Sequence, residues 1–130
     1  MLTEHWNGSS WTPQTSIADP GASLLDVFAT DANHVYVLGL GSAGVILKWN
    51  GTSWSKEYTT GFGDYPSSIW GTDSNHLFMV CTSGVIVKWD GTSWTRQSSG
   101  TTGWLNTMFG LDLHNIWVAG NDGIILRSAP

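Results

Sequence analysis

Histidine, cysteine, serine and carboxylate side chains are the groups through which this chain could do chemistry, and their placement restricts it. His34 and His76 stand at matching points of two related segments, and His114 lies one residue out of register in a third. Histidines recurring around a ring would offer a metal site. However, Asp31-Ala32-Asn33-His34 and Asp73-Ser74-Asn75-His76 are also strong turn sequences, because Asp accepts local backbone N–H groups and Asn tolerates left-handed backbone. The turn reading is preferred, and no metal or cofactor is expected. Cys81 is the single cysteine; it allows no internal disulfide or multi-cysteine zinc site. It lies in an apolar run without a basic neighbour, so it reads as inert core. Ser, His and Asp are all present, but nothing in their spacing assembles a nucleophile. A glycosidase needs two convergent carboxylates. Glu4 is terminal, Glu57 belongs to an outer strand, and most Asp residues fall in repeated turns. An arginine cluster for a sugar carboxylate is also missing, since Arg96 and Arg127 are the only two and align with lysines. No catalytic residue is assigned.

Binding is better supported. Tyr65, next to Asp64, and Trp104 occupy equivalent places in two loops where the first segment has only Ser23. The neighbouring turns hold Ser42, Thr82, Ser83, Asn121 and Asp122. Aromatic rings beside short polar groups suit a sugar, because amphipathic rings present a flat apolar face to stack on. The assigned ligand-binding set is Tyr65, Trp104, Asp64, Asn121 and Asp122. The competing reading is that the two rings only fill gaps between elements.

The elements that position these residues are written three times. Lys48-Trp49-Asn50-Gly51-Thr52-Ser53-Trp54 returns as Lys88-Trp89-Asp90-Gly91-Thr92-Ser93-Trp94, and His5-Trp6-Asn7-Gly8-Ser9-Ser10-Trp11 is a third copy. A second motif reads Val27-Phe28-Ala29-Thr30-Asp31, Ile69-Trp70-Gly71-Thr72-Asp73 and Met108-Phe109-Gly110-Leu111-Asp112. After each Asp come an apolar stretch, a Gly, and a second apolar stretch. Such short runs, rich in Val, Ile, Phe and Trp and bounded by Gly, Asn, Asp and Ser, read as strands. No segment keeps a helical period. Each unit therefore holds four strands, A to D, with D expected at Ser53–Tyr58 and Ser93–Ser98 as a polar outer edge carrying Lys56 and Arg96. Asn-Gly and Asp-Gly are strong hairpin signals for the C-to-D turn.

Four strands per repeat of ~40 residues is the pattern of a β-propeller blade. Gly123-Ile124-Ile125-Leu126-Arg127, Val87-Lys88-Trp89-Asp90 and the Asp-bearing A-to-B turns resemble blades of the WD40 and Asp-box superfamily. They are similar to bacterial tandem-repeat propellers and to those of photosystem-assembly-factor type. The resemblance implies an all-β propeller fold and no particular ligand.

Composition and phase complete the reading. The 130 residues, taken as one unit, carry a net charge of −5 with five basic residues. A nucleic-acid partner, which requires a basic stripe, is not expected. Nor is a membrane, since no apolar run nears the ~20 residues of a spanning helix. Three blades are too few to close a ring, and an open wedge would expose apolar sheet faces. A homo-oligomer is expected, with the N-terminal strand at about 9–16 completing the blade formed by about 105–128 of a neighbouring chain. Two chains would make six blades and three would make nine, and rotational symmetry favours the dimer. Two functions follow: a lectin-like binding module using the D-to-A and B-to-C loops, or a scaffold that binds protein and no small molecule.

Overall fold

A computed structural model describes residues 3–14, 21–61 and 63–129. They form an all-β fold of four antiparallel sheets, with no α-helix among the described residues. The first sheet is a hairpin of β1 (Glu4–Trp6) and β2 (Trp11–Pro13). The second runs in chain order through β3 (Ser23–Asp31), β4 (His34–Leu40), β5 (Gly44–Trp49) and β6 (Trp54–Thr59). The third repeats it with β7 (Pro66–Asp73), β8 (His76–Cys81), β9 (Val85–Trp89) and β10 (Trp94–Ser98). The fourth holds β11 (Leu105–Gly110), β12 (Ile116–Gly120) and β13 (Ile125–Arg127).

The repeated Trp-Asn/Asp-Gly stretches make one hairpin three times. The side chain of Asn50 accepts the amides of Thr52 and Ser53, each at 2.9 Å, and Asp90 does the same for Thr92 and Ser93. Asn7 takes Ser9 and Ser10 at 3.0 Å. The next residue must enter left-handed backbone, and it is Gly each time, at φ 101° in Gly8, 93° in Gly51 and 91° in Gly91. The flanking tryptophans meet across the hairpin with ring centroids 5.8, 5.6 and 5.3 Å apart. Because Ser53 and Ser93 are held by these turns, the outer strands begin one residue later than the sequence implies. In the first hairpin, Asn7 donates to Ser10 and Gln14 to Thr3. The alternation of an antiparallel ladder then leaves Pro13 where no N–H is required.

The core lies between successive sheets. Tyr36, Leu38 and Ile46 of the β3–β6 sheet pack against Ile69, Leu77, Met79 and Val87 of the β7–β10 sheet. The far side of that sheet, with Trp70 and Val80, packs against Met108, Ile116 and Val118 of β11–β12. Polar ties join the same interfaces. Asp26 Oδ2 accepts the Ser68 hydroxyl and the Ile69 N–H, each at 3.0 Å, and the Ser67 hydroxyl bonds the Leu105 carbonyl. Each first strand carries an irregularity at the matching place, beside Leu25, Ser67 and Asn106.

Candidate functional site

The two ends of the sheets differ in chemistry. At one end lie the A-to-B turns. His34 Nδ1 bonds Asp31 Oδ2 at 2.8 Å and His76 Nδ1 bonds Asp73 at 2.9 Å, while Asn33 and Asn75 give their amides to the same carboxylates. In the third repeat Asn115 takes the histidine's place on Asp112, which is why His114 stands out of register. These bonds hold Asp31, Asp73 and Asp112 below the usual carboxylate range. Among the described residues no three His, Cys, Asp or Glu side chains gather to hold a metal.

The D-to-A loops and B-to-C turns meet at the other end. Thr60 starts the loop between β6 and β7, with its hydroxyl accepting the Gly44 N–H at 3.0 Å and donating to the Asp64 carbonyl at 2.7 Å. That bond turns the buried Asp64 carboxylate toward Ser83 Oγ at 2.7 Å and Arg96 Nη2 at 2.9 Å. Asp64 thus joins its loop to the B-to-C turn and the outer strand. Tyr65 follows with its ring exposed and its carbonyl accepting the Thr82 N–H at 2.9 Å. Trp104 has the same arrangement one sheet further on: an exposed ring, and a carbonyl accepting the Asn121 N–H at 2.9 Å. The Asn121 amide oxygen also accepts from Asn106 at 2.6 Å. Asp122 is exposed at φ 54°, a left-handed position that Asp tolerates.

Asp64 and Tyr65 therefore sit together on one repeat, and Trp104, Asn121 and Asp122 on the next. Between the β7–β10 sheet and the 99–102 segment lies a polar cleft of about 350 Å³ lined by Ser83, Arg96, Gln97, Ser98, Thr101 and Thr102. Sequence alignment gives Arg96 only as the counterpart of Lys56. The missing signal is Asp64, which the first repeat replaces with Ala22 and the third with Gly103. The Arg96 side chain remains mostly exposed along the cleft although it is paired with Asp64. The chemistry on offer is hydrogen bonding by hydroxyls, an amide and one fixed cation, with an aromatic ring two residues past the lining loop.

Cys81 is fully buried, and burial pushes its thiol up to about 12, so a nucleophilic thiolate is absent at neutral pH. No helix of the described residues is long and apolar enough to cross a membrane. The chain matches no protein-family model and no curated protein.

Proposed function

We propose that the three larger sheets are blades of a β-propeller and that the chain is a non-catalytic, lectin-like binding module. The polar cleft beside Arg96, with Trp104 just beyond the loop that lines it, carries this reading. A few convergent hydrogen-bonding groups beside a flat, amphipathic ring suit a sugar. Tyr65 and Trp104 are the stacking rings. Asn121 and Asp122 supply polar groups beside Trp104, and Asp64 orients Arg96. The blade assignment is supported by three sheets whose strands follow chain order, two of them ending in the same Trp-Asn/Asp-Gly hairpin, with successive sheets packed face on face.

A glycan array followed by calorimetric titration of the retained sugars tests the function. Wild-type protein should retain a defined set of glycans, and Trp104→Ala should weaken binding at least tenfold without changing the far-ultraviolet spectrum. An array with no retained glycan, or binding indifferent to Trp104→Ala, overturns the reading. One observation favours the scaffold alternative: Phe109, Leu111, Trp117 and Ile125 expose apolar surface on the β11–β13 sheet, the kind of patch that marks a protein contact.

A further inference from the structure

That apolar face has counterparts inside the molecule. Phe109, Trp117 and Arg127 lie side by side across β11, β12 and β13. The matching rows are Phe28, Tyr36 and Lys48 across β3–β5, and Trp70, Phe78 and Lys88 across β7–β9. Each row ends with its cation over the middle ring, at 5.7 Å for Lys48, 5.8 Å for Lys88 and 5.1 Å for Arg127. The first two rows are covered by the sheet that follows them. Phe109 is 64% exposed, whereas its counterpart Trp70 is 7% exposed.

The surface that covers such a row also recurs. Ile69 and Met108 sit on the receiving faces of their sheets, at 4% and 6% exposure. Their counterpart Val27 is 63% exposed on the face of β3 turned away from the β7–β10 sheet. At the second internal interface the receiving strand leaves no room for a side chain under the covering ring. The Trp70 ring lies over Gly110, with ring atoms 2.6–2.8 Å from where a Cβ would stand. The counterpart of Gly110 on β3 is Ala29, which is exposed; it already carries a Cβ, so the ring over it must stand further out than Trp70 does, and Phe109 is the smaller ring. The chain thus carries an uncovered donor face, centred on Phe109, and an uncovered receiver face, centred on Val27 and Ala29.

We infer that the β11–β13 face docks onto the β3 face of a second copy of this chain, Phe109 over Ala29, and that two copies close as a pair through two identical interfaces. The contact continues the pattern of the two internal interfaces and is heterologous within each interface, with rotation closing the ring. It rests on the blade reading above and on no ligand.

Light scattering after size exclusion, at micromolar chain concentration, tests it. Wild-type protein should give the mass of two chains, and Phe109→Asp and Val27→Asp should each halve it. Both residues are exposed in the single chain, so circular dichroism should show the fold retained. In the double variant Ala29→Cys with Phe109→Cys, oxidation should link two chains through these positions, while buried Cys81 stays unlinked. A wild-type mass other than two chains overturns the inference. So does a pair that survives Phe109→Asp, or a double variant that does not crosslink. Glycan binding is a separate readout: a wild-type pair with no glycan bound would sink the lectin reading alone, and a single chain that binds glycan would sink the pairing alone.

Discussion

Asp26 offers the sharpest test of how adjacent sheets are held together. One carboxylate oxygen reaches from β3 into the next sheet and accepts two donors, Ser68 Oγ and Ile69 N, each at 3.0 Å. The other oxygen accepts the N–H of Val27 at 2.9 Å. Ser68 and Ile69 are both buried, so water cannot replace a lost acceptor there without opening the interface. Hydrogen bonds to a charged group are worth about 1.5–3 kcal/mol each, and a buried donor left bare costs about 1–3 kcal/mol. These figures overlap, since both describe the same bonds. Asp26→Ala should therefore destabilise by about 3–5 kcal/mol, a large share of the ~5–15 kcal/mol available to a domain. Asp26→Asn keeps one acceptor for Ile69 and should lose about half as much, while Ser68→Ala should cost about 1 kcal/mol. Urea unfolding followed by tryptophan fluorescence measures all three, at one fixed chain concentration because association adds to apparent stability. An Asp26→Ala midpoint within error of wild type, with an unchanged slope, would refute the view that this carboxylate ties the sheets.

The turn carboxylates govern acid stability. The His34 side chain lowers Asp31, the Asn75 amide lowers Asp73, the Ser93 and Thr92 amides lower Asp90, and the Asn115 side chain lowers Asp112 from the ordinary 3.8. A depressed folded-state pKa stabilises above the unfolded value and is lost as pH falls through the folded one. Urea midpoints should thus drop below pH 3.8, and Asp90→Asn should shrink that drop; a wild-type midpoint flat to pH 2 would contradict it. Gly110→Ala drives a Cβ into the Trp70 ring and should cost about 1–3 kcal/mol, with a shift in tryptophan emission. Gly100, at φ 83° with open space around it, should cost about 1–2 kcal/mol on change to Ala with no shift in emission; a Gly110→Ala protein with unchanged tryptophan emission would discount the ring contact. Cys81, pushed up to about 12 by burial, should resist a thiol reagent at pH 8 in native protein and react in urea, and rapid native labelling would place it nearer the surface.

What was legible in the sequence was local chemistry. Asn-Gly and Asp-Gly between tryptophans announce their hairpins because a side-chain acceptor and a left-handed Gly lie within four residues. The same holds for the histidines, whose partners Asp31 and Asp73 are three residues away. Strand boundaries slipped by one at Trp54 and Trp94, because periodicity does not report which serine amide the turn retains. The Asp64–Arg96 pair was hidden for a different reason. The two residues are 32 apart, and Asp64 is held for the contact by a loop whose first residue, Thr60, bonds both Gly44 and the Asp64 carbonyl. Asp26 reaches 43 residues along the chain to Ile69, and a repeat alignment offers no sign of it, because the corresponding Ser68 and Thr107 are not acids.

Where three copies of a unit agree, packing and turn geometry account for the residue; where they differ, either a tie private to one interface, as at Asp26, or another requirement has been added. Tyr65, Trp104, Asp64 and Arg96 are such differences, and all belong to the second and third repeats. On the pairing inferred above, a ring of two chains would present the cleft twice, on opposite sides of a two-fold axis. Paired weak sites bind a ligand-coated surface more tightly than either site alone, because the second contact is made at high effective concentration, commonly 10²–10⁴-fold in avidity. Phe109→Asp leaves the cleft residues untouched. It should therefore keep the affinity for a monovalent sugar in solution while dissociating faster from a surface densely coated with the same sugar. Surface plasmon resonance at high and low coating density separates the two quantities. If Phe109→Asp changes neither the solution affinity nor the density dependence, the clefts do not act together, whatever the mass of the particle.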